Sequence, residues 1–136
     1  MKLLKVIFIS FISLALVAVS SCKKTEGTGG NSSITGKVIF HKYANPTGTL
    51  LVYQGEYAGA YEDVYIIYGD DATYGARLKT NPDGIYEFKY LRPGKYKVYA
   101  YSSGVNVTTN RVAVIKEVEI AKKKQTVEAE TLNIDK

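Results

Sequence analysis

From Ile34 onward, apolar and polar residues alternate along most of the chain, and a period of two predicts strands rather than helices. In ITGKVIF (residues 34–40), Ile34, Val38 and Phe40 fall on one side, with Gly36 between them placed for a close backbone approach or a bulge. DVYIIYG (63–69) is apolar on both faces, which fits a central strand covered on each side or one whose outer tyrosines are partly wet. ARLKT (76–80) is a shorter, polar strand. IYEFKY (85–90) puts Tyr86, Phe88 and Tyr90 on one face and Glu87 and Lys89 on the other. KYKVYAY (95–101) turns Tyr96, Val98 and Ala100 inward and Lys95, Lys97, Tyr99 and Tyr101 outward. RVAVIKEVEIA (111–121) and QTVEAETLNI (125–134) complete the set, joined around AKKKQ.

Turn chemistry punctuates these runs. Asn81-Pro82-Asp83-Gly84 has the pattern of a type I turn, in which proline presets the second position. Arg92-Pro93-Gly94-Lys95 reads as a type II turn whose third position needs the positive φ that Gly94 supplies. On this reading, 85–90 and 95–101 are adjacent strands with their register fixed by the turn. Seven strands and no helical period longer than one turn predict an all-β fold, two packed antiparallel sheets around one core.

One connection is longer than the few residues that join most strands. HKYANPTGTLLVYQGEYAGAYE (41–62) carries Tyr43, Tyr53, Tyr57 and Tyr61, with Gly55 and Gly59 spacing the last three at intervals of four. A tyrosine offers a flat apolar ring with a polar tip, suited to stacking on sugars or packing on a partner. Tyr53, Tyr57 and Tyr61 are therefore the candidate ligand-binding residues. The alternative is that TLLVYQ is an added strand or cap whose aromatics cover a sheet edge.

Composition agrees with a pleated, half-buried architecture: twelve Tyr, four Phe and no Trp, with abundant Val, Ile, Thr and Gly. The amino terminus decides the compartment. MKLLKVIFISFISLALVAVSSC has two lysines, an apolar run of about fourteen residues and small residues before Cys22, the sole cysteine. That run is short for a spanning helix, which needs ~20 residues, and typical of a signal peptide. Val19-Ser20-Ser21-Cys22 resembles the bacterial lipobox, and the resemblance implies cleavage before Cys22 and acylation of that residue. The expected organisation is a signal peptide at 1–21, a lipidated flexible tether at 22–33 and a sandwich domain at 34–134. By similarity to known sorting patterns, Lys23 in place of Asp implies the outer membrane. TEGTGG, with one glutamate, is a poor surface-export tag and favours the periplasmic face.

Removing the leader takes away Lys2 and Lys5 and lowers the formal charge from +5 to +3, which is no nucleic-acid footprint. Lys122, Lys123 and Lys124 form the one basic run of the mature domain, read as a solvated hairpin tip in preference to an anionic-lipid contact.

ITGKV, DVYIIY and TNPDGIYEFKYLRPGKYKVYAY together resemble the carboxypeptidase-regulatory-like, or prealbumin-like (transthyretin-like), β-sandwich group. The resemblance covers Ile34 to about Ile134 and implies a seven-stranded antiparallel Greek-key sandwich. It implies no activity, because such modules serve as appendages, scaffolds and binding domains. Transthyretin-like hydrolases depend on several histidines and a closing Tyr-Arg-Gly-Ser motif, whereas this chain has only His41 and closes on LNIDK. His41 reads as a solvated loop residue. No zinc ligand set assembles, and Asp70-Asp71 and Glu62-Asp63 lack the alternating oxygens of a calcium loop. The expectation is a membrane-anchored, non-catalytic lipoprotein of the cell envelope without metal or cofactor, acting as a structural or protein-interaction module. The alternative is carbohydrate binding through the tyrosine-rich loop.

Overall fold

The computed structural model describes residues 25–45, 51–103 and 111–136. The leader, Cys22 and the two lysines after it lie outside the described residues. Nine strands form: β1 (Thr28–Ala44), β2 (Val52–Ala58), β3 (Asp63–Tyr68), β4 (Ala76–Lys79), β5 (Ile85–Leu91), β6 (Gly94–Ser103), β7 (Arg111–Ile120), β8 (Thr126–Glu128) and β9 (Leu132–Asp135). They make two packed sheets, one of five strands built around β1 and one of four in the order β4-β3-β6-β7.

β1 is the spine of the first sheet. Its first half pairs antiparallel with β5 and parallel with β8, and its second half pairs antiparallel with β2 and parallel with β9. Between the sheets lies the core that alternation predicts. Ile34, Val38, Tyr86, Phe88, Leu132 and Ile134 come from one side, and Val64, Ile66, Tyr96, Val98 and Ile120 from the other. Each such side chain contributes about 1.5–3 kcal/mol by leaving water. Gly36 makes the close approach expected of it, for the Tyr86 ring lies where a Cβ would sit.

Four expectations are corrected. The fold is not a simple seven-stranded antiparallel Greek-key sandwich of the prealbumin-like kind: it has nine strands, and its larger sheet is mixed. The run 125–134 divides because its inward positions change phase, with Val127 and Ala129 followed by Leu132 and Ile134 after a three-residue step. Both pieces lie parallel to β1, which they reach by crossing from the second sheet after β7. The remaining addition is β2, an edge strand on β1 that overlaps the TLLVYQ segment, for which an added strand or cap is the second reading.

The second correction concerns Arg92–Lys95, which is a corner between sheets and not a hairpin. β5 pairs with β1, whereas β6 pairs with β3 and β7. Gly94 has the positive φ foreseen for it, at +150°. The corner is closed by Tyr96, whose hydroxyl donates to the Arg92 carbonyl at 2.6 Å and accepts from the Gly27 amide at 3.1 Å. The third concerns Tyr90, which is 72% exposed with φ +60° and so leaves the inward side of β5 to Leu91. The last is His41, which is a strand residue, only a quarter exposed.

β1 begins at Thr28, inside the segment whose composition reads as a tether. Ser32 and Ser33 are buried there against the β7–β8 turn.

Candidate functional site

The outer face of the four-stranded sheet gathers tyrosines. Alternation in β3 sends Val64 and Ile66 into the core and Tyr65 out; in β6 it sends Val98 and Ala100 in and Tyr99 and Tyr101 out. Register then decides who meets whom. Tyr65 pairs directly with Tyr99, and their rings stack with centroids 4.9 Å apart and planes 12° from parallel. Tyr101, two residues along on the same face, presents its ring edge-on to both, at 5.6 Å from Tyr65 and 5.5 Å from Tyr99. Tyr74, from the β3–β4 connection, packs edge-on against Tyr65 at 5.1 Å.

The row continues across all four strands. On β4, Arg77 is the partner of Tyr65; on β7, the half-exposed Ile115 is the partner of Tyr99. Next to Arg77, Asp63 sits 3.9 Å from its Nε and 3.3 Å from the Nζ of Lys79. The result is an aromatic patch bordered by a cation–carboxylate–cation group on one flank and an aliphatic side chain on the other.

Electrostatics keep these groups in defined states. Desolvation, followed by the hydrogen bond with Tyr101, pushes the Tyr99 hydroxyl up to about 12, so it is neutral at physiological pH. Arg77 is held more firmly protonated, first by its hydrogen bond with the Tyr65 hydroxyl and then by the Asp63 carboxylate. Tyr99 is nearly buried by its neighbours, whereas Tyr74 keeps 51% of its surface open. Tyr65 and Tyr99 each cover one ring face of the other. Tyr74 is the member with ring surface to offer. The chemistry such a surface offers is ring stacking and hydrogen bonding.

The residues proposed from sequence lie elsewhere, and all three are exposed. Tyr53 and Tyr57 belong to β2, where a bulge opposite Lys42/Tyr43 shifts the register. Tyr53 pairs with Tyr43 and Tyr57 with Phe40, and residues three apart on β1 point to opposite faces. The bulge therefore separates the two rings. Tyr53 packs instead near Tyr43 and His41, and Tyr61 sits in the β2–β3 turn at φ +57°. Desolvation raises the Tyr53 hydroxyl above its ordinary value, with Glu56 adding to the effect. Residues 46–50 of this loop lie outside the described residues.

His41 is held between two carboxylates, Glu56 at 3.5 Å and Asp135 at 3.6 Å, because both are its register partners on β2 and β9. Among the described residues no group of three or more His, Cys, Asp or Glu is placed to hold a metal ion. The lipid-attachment residue, Cys22, falls outside the described residues.

The sequence did carry a signal for the four-tyrosine face, since Tyr99 and Tyr101 were readable as outward. What it lacked was the neighbour relation between β3 and β6, which brings Tyr65 and Tyr74 to them. A scan against protein-family models and a search of curated proteins both find no match for this chain.

Proposed function

We propose that this protein is a lipid-anchored, non-catalytic binding module of the bacterial cell envelope that takes carbohydrate on the Tyr65–Tyr74–Tyr99–Tyr101 face. The observation that carries the reading is the convergence of four tyrosines on the solvent side of a sheet whose core side is already filled. A water-facing sheet surface needs polar side chains, not a cluster of rings. Pyranose rings present apolar C–H faces and a rim of hydroxyls. Tyr74 suits the first, and the tyrosine hydroxyls with Arg77, Asp63 and Lys79 suit the second.

The anchor rests on the lipobox-like sequence ending in Cys22, with delivery to the outer membrane and its periplasmic face as the sorting residues suggest. The sequence motif between Thr80 and Val98 resembles that of carboxypeptidase-regulatory-like sandwich domains, which serve as binding and scaffolding appendages. Glycan-array profiling of the full chain, followed by calorimetry on any hit, tests the carbohydrate reading. Tyr74→Ala is expected to weaken binding about tenfold while lowering the melting temperature by only about 4–8 °C, and Tyr57→Ala to leave binding unchanged. An array blank at high protein concentration, or equal loss from both variants, sinks it.

A second reading is favoured by β2. Six of its seven residues are exposed, and it pairs only with β1, so its other edge has no partner among the described residues and suits strand addition by an envelope protein. Crosslinking in native envelopes from a photoreactive residue at Gln54 recovers one specific protein if this reading holds, and nothing above background if it does not.

A further inference from the structure

At the end of the sandwich where β1 begins, a cleft of about 370 Å³ opens between the β1 backbone at Gly29 and Gly30, the β5–β6 corner at Arg92 and the β7–β8 turn at Lys123 and Lys124. No carboxylate from the described residues lines it. None of its three cations forms an ion pair with a described residue, whereas Lys79, Lys89, Lys97, Lys116 and Lys136 all do. Arg92 on one element and Lys123 and Lys124 on another line the cleft beside a glycine backbone, three positive charges with no carboxylate among the described residues to neutralise them, which is the composition of an anion site.

The site is also built. Ser32, 3% exposed, donates its hydroxyl to the Lys122 carbonyl at 3.2 Å and accepts from the Gln125 amide at 3.2 Å. The Gln125 side chain accepts from the Lys122 amide at 3.0 Å, and the Ser33 amide donates to the Gln125 carbonyl at 2.9 Å. These bonds lock the lysine turn, with Lys124 at φ +59°, against β1. The run is the exposed turn that its composition predicts, and these bonds fix it beside the cleft. Arg92 donates to the Thr25 carbonyl at 3.4 Å, and its guanidinium lies over Gly29, whose φ of +95° and missing Cβ leave room for it.

Thr25 is three residues from Cys22, a distance that extended chain spans in about 11 Å at most. We propose that this cleft takes the phosphate of an anionic phospholipid head group in the membrane that holds the Cys22 anchor; the choice of membrane rests on the lipoprotein reading above. The grip sets the domain upright. β6 leaves the corner at Gly94 and carries Tyr99 five residues, roughly 16 Å, further along the sandwich, so the tyrosine face stands clear of the bilayer.

The test uses ¹⁵N-labelled protein purified from envelopes in a non-ionic detergent, with acylation read by intact mass. It is titrated with dihexanoyl-phosphatidylglycerol, dihexanoyl-phosphatidylcholine and inorganic phosphate. Phosphatidylglycerol is expected to shift the amides of Gly29, Gly30, Lys123 and Lys124 saturably while phosphatidylcholine leaves them in place. The triple variant R92Q/K123Q/K124Q is expected to bind about tenfold more weakly or worse, with the Tyr65 and Tyr99 amides unmoved as the check on folding. No shift with phosphatidylglycerol, an equal shift with phosphatidylcholine, or unchanged affinity in the folded triple variant overturns the proposal. Inorganic phosphate binding as tightly as phosphatidylglycerol also overturns the head-group assignment, making the cleft a free-phosphate site. A mass without acyl groups strikes the anchor reading and leaves the titration to judge the cleft.

Discussion

Tyr65 and Tyr99 stand directly opposite each other on β3 and β6, ring against ring, and Tyr65 also meets the edges of Tyr74 and Tyr101. One side chain thus carries three aromatic contacts, each contributing roughly 0.5–1.5 kcal/mol beyond the area it buries. Tyr65→Ala removes all three and is expected to lower stability by about 2–4 kcal/mol. Tyr74→Ala removes one contact from a half-exposed ring and costs about 1 kcal/mol. Urea denaturation midpoints distinguish the two; equal losses refute the central place given to Tyr65.

The same cluster sets an alkaline limit. In the fold Tyr99 holds its proton up to about pH 12, against about 10 in an unfolded chain. At this group the folded state therefore binds more protons than the unfolded state between these values, and the contribution of Tyr99 to stability is level below that window and falls as pH rises through it. Tyr99→Phe removes the titrating group and is expected to make the decline between pH 10 and 12 shallower. Denaturation midpoints at pH 8, 10 and 11.5 show this, and parallel declines in the two proteins count against it.

Much of this architecture was legible because period-two alternation is local. β3 and β6 show it: Val64 and Ile66, then Tyr96, Val98 and Ala100, lie inward as their spacing requires. Turn chemistry is local too, and the Gly84 amide does close on the Asn81 carbonyl at 3.0 Å. Pairing is not local. Pro93 and Gly94 announce a reversal, but a hairpin and a corner between sheets need the same reversal, and only packing of both strands on one core separates them. β2 entered only as one of two readings of TLLVYQ, for a different reason: exposed on both faces, it has no buried side to impose a pattern. The tyrosine face follows from pairing, so the four tyrosines were visible singly and not as a set.

Ser32 makes the lysine turn a test of buried polarity. Its hydroxyl serves both the Lys122 carbonyl and the Gln125 amide from an almost fully enclosed position. Ser32→Ala leaves both backbone groups short of a partner and is expected to cost about 1–3 kcal/mol. Amide exchange at Gln125 is expected to accelerate more than at the core residue Val98. Uniform acceleration across the domain indicates global loosening, and with it no special role for Ser32 at the turn.

Two buried tyrosines carry the same atom to opposite effect. Tyr96 closes the β5–β6 corner: its hydroxyl donates to Arg92 and receives the Gly27 amide, so Tyr96→Phe strands a carbonyl and an N–H and is expected to destabilise by about 1–3 kcal/mol. Tyr86 is equally enclosed, at 2% exposure, but its hydroxyl lies over Gly36 with no partner among the described residues. Burial alone raises its proton affinity, the mark of a polar group whose ionised form the site does not compensate. Desolvating a hydroxyl without a return bond costs about 1–3 kcal/mol, so Tyr86→Phe is expected to stabilise the protein by about 1 kcal/mol. Gly36→Ala, which pushes a methyl into the same ring, is expected to cost about 1–3 kcal/mol whether residue 86 is Tyr or Phe, because ring carbons as well as oxygen fill the space. Parallel urea titrations of the three single variants and the Gly36→Ala/Tyr86→Phe double variant measure all of this. A loss from Tyr86→Phe as large as that from Tyr96→Phe means that the Tyr86 hydroxyl is satisfied after all.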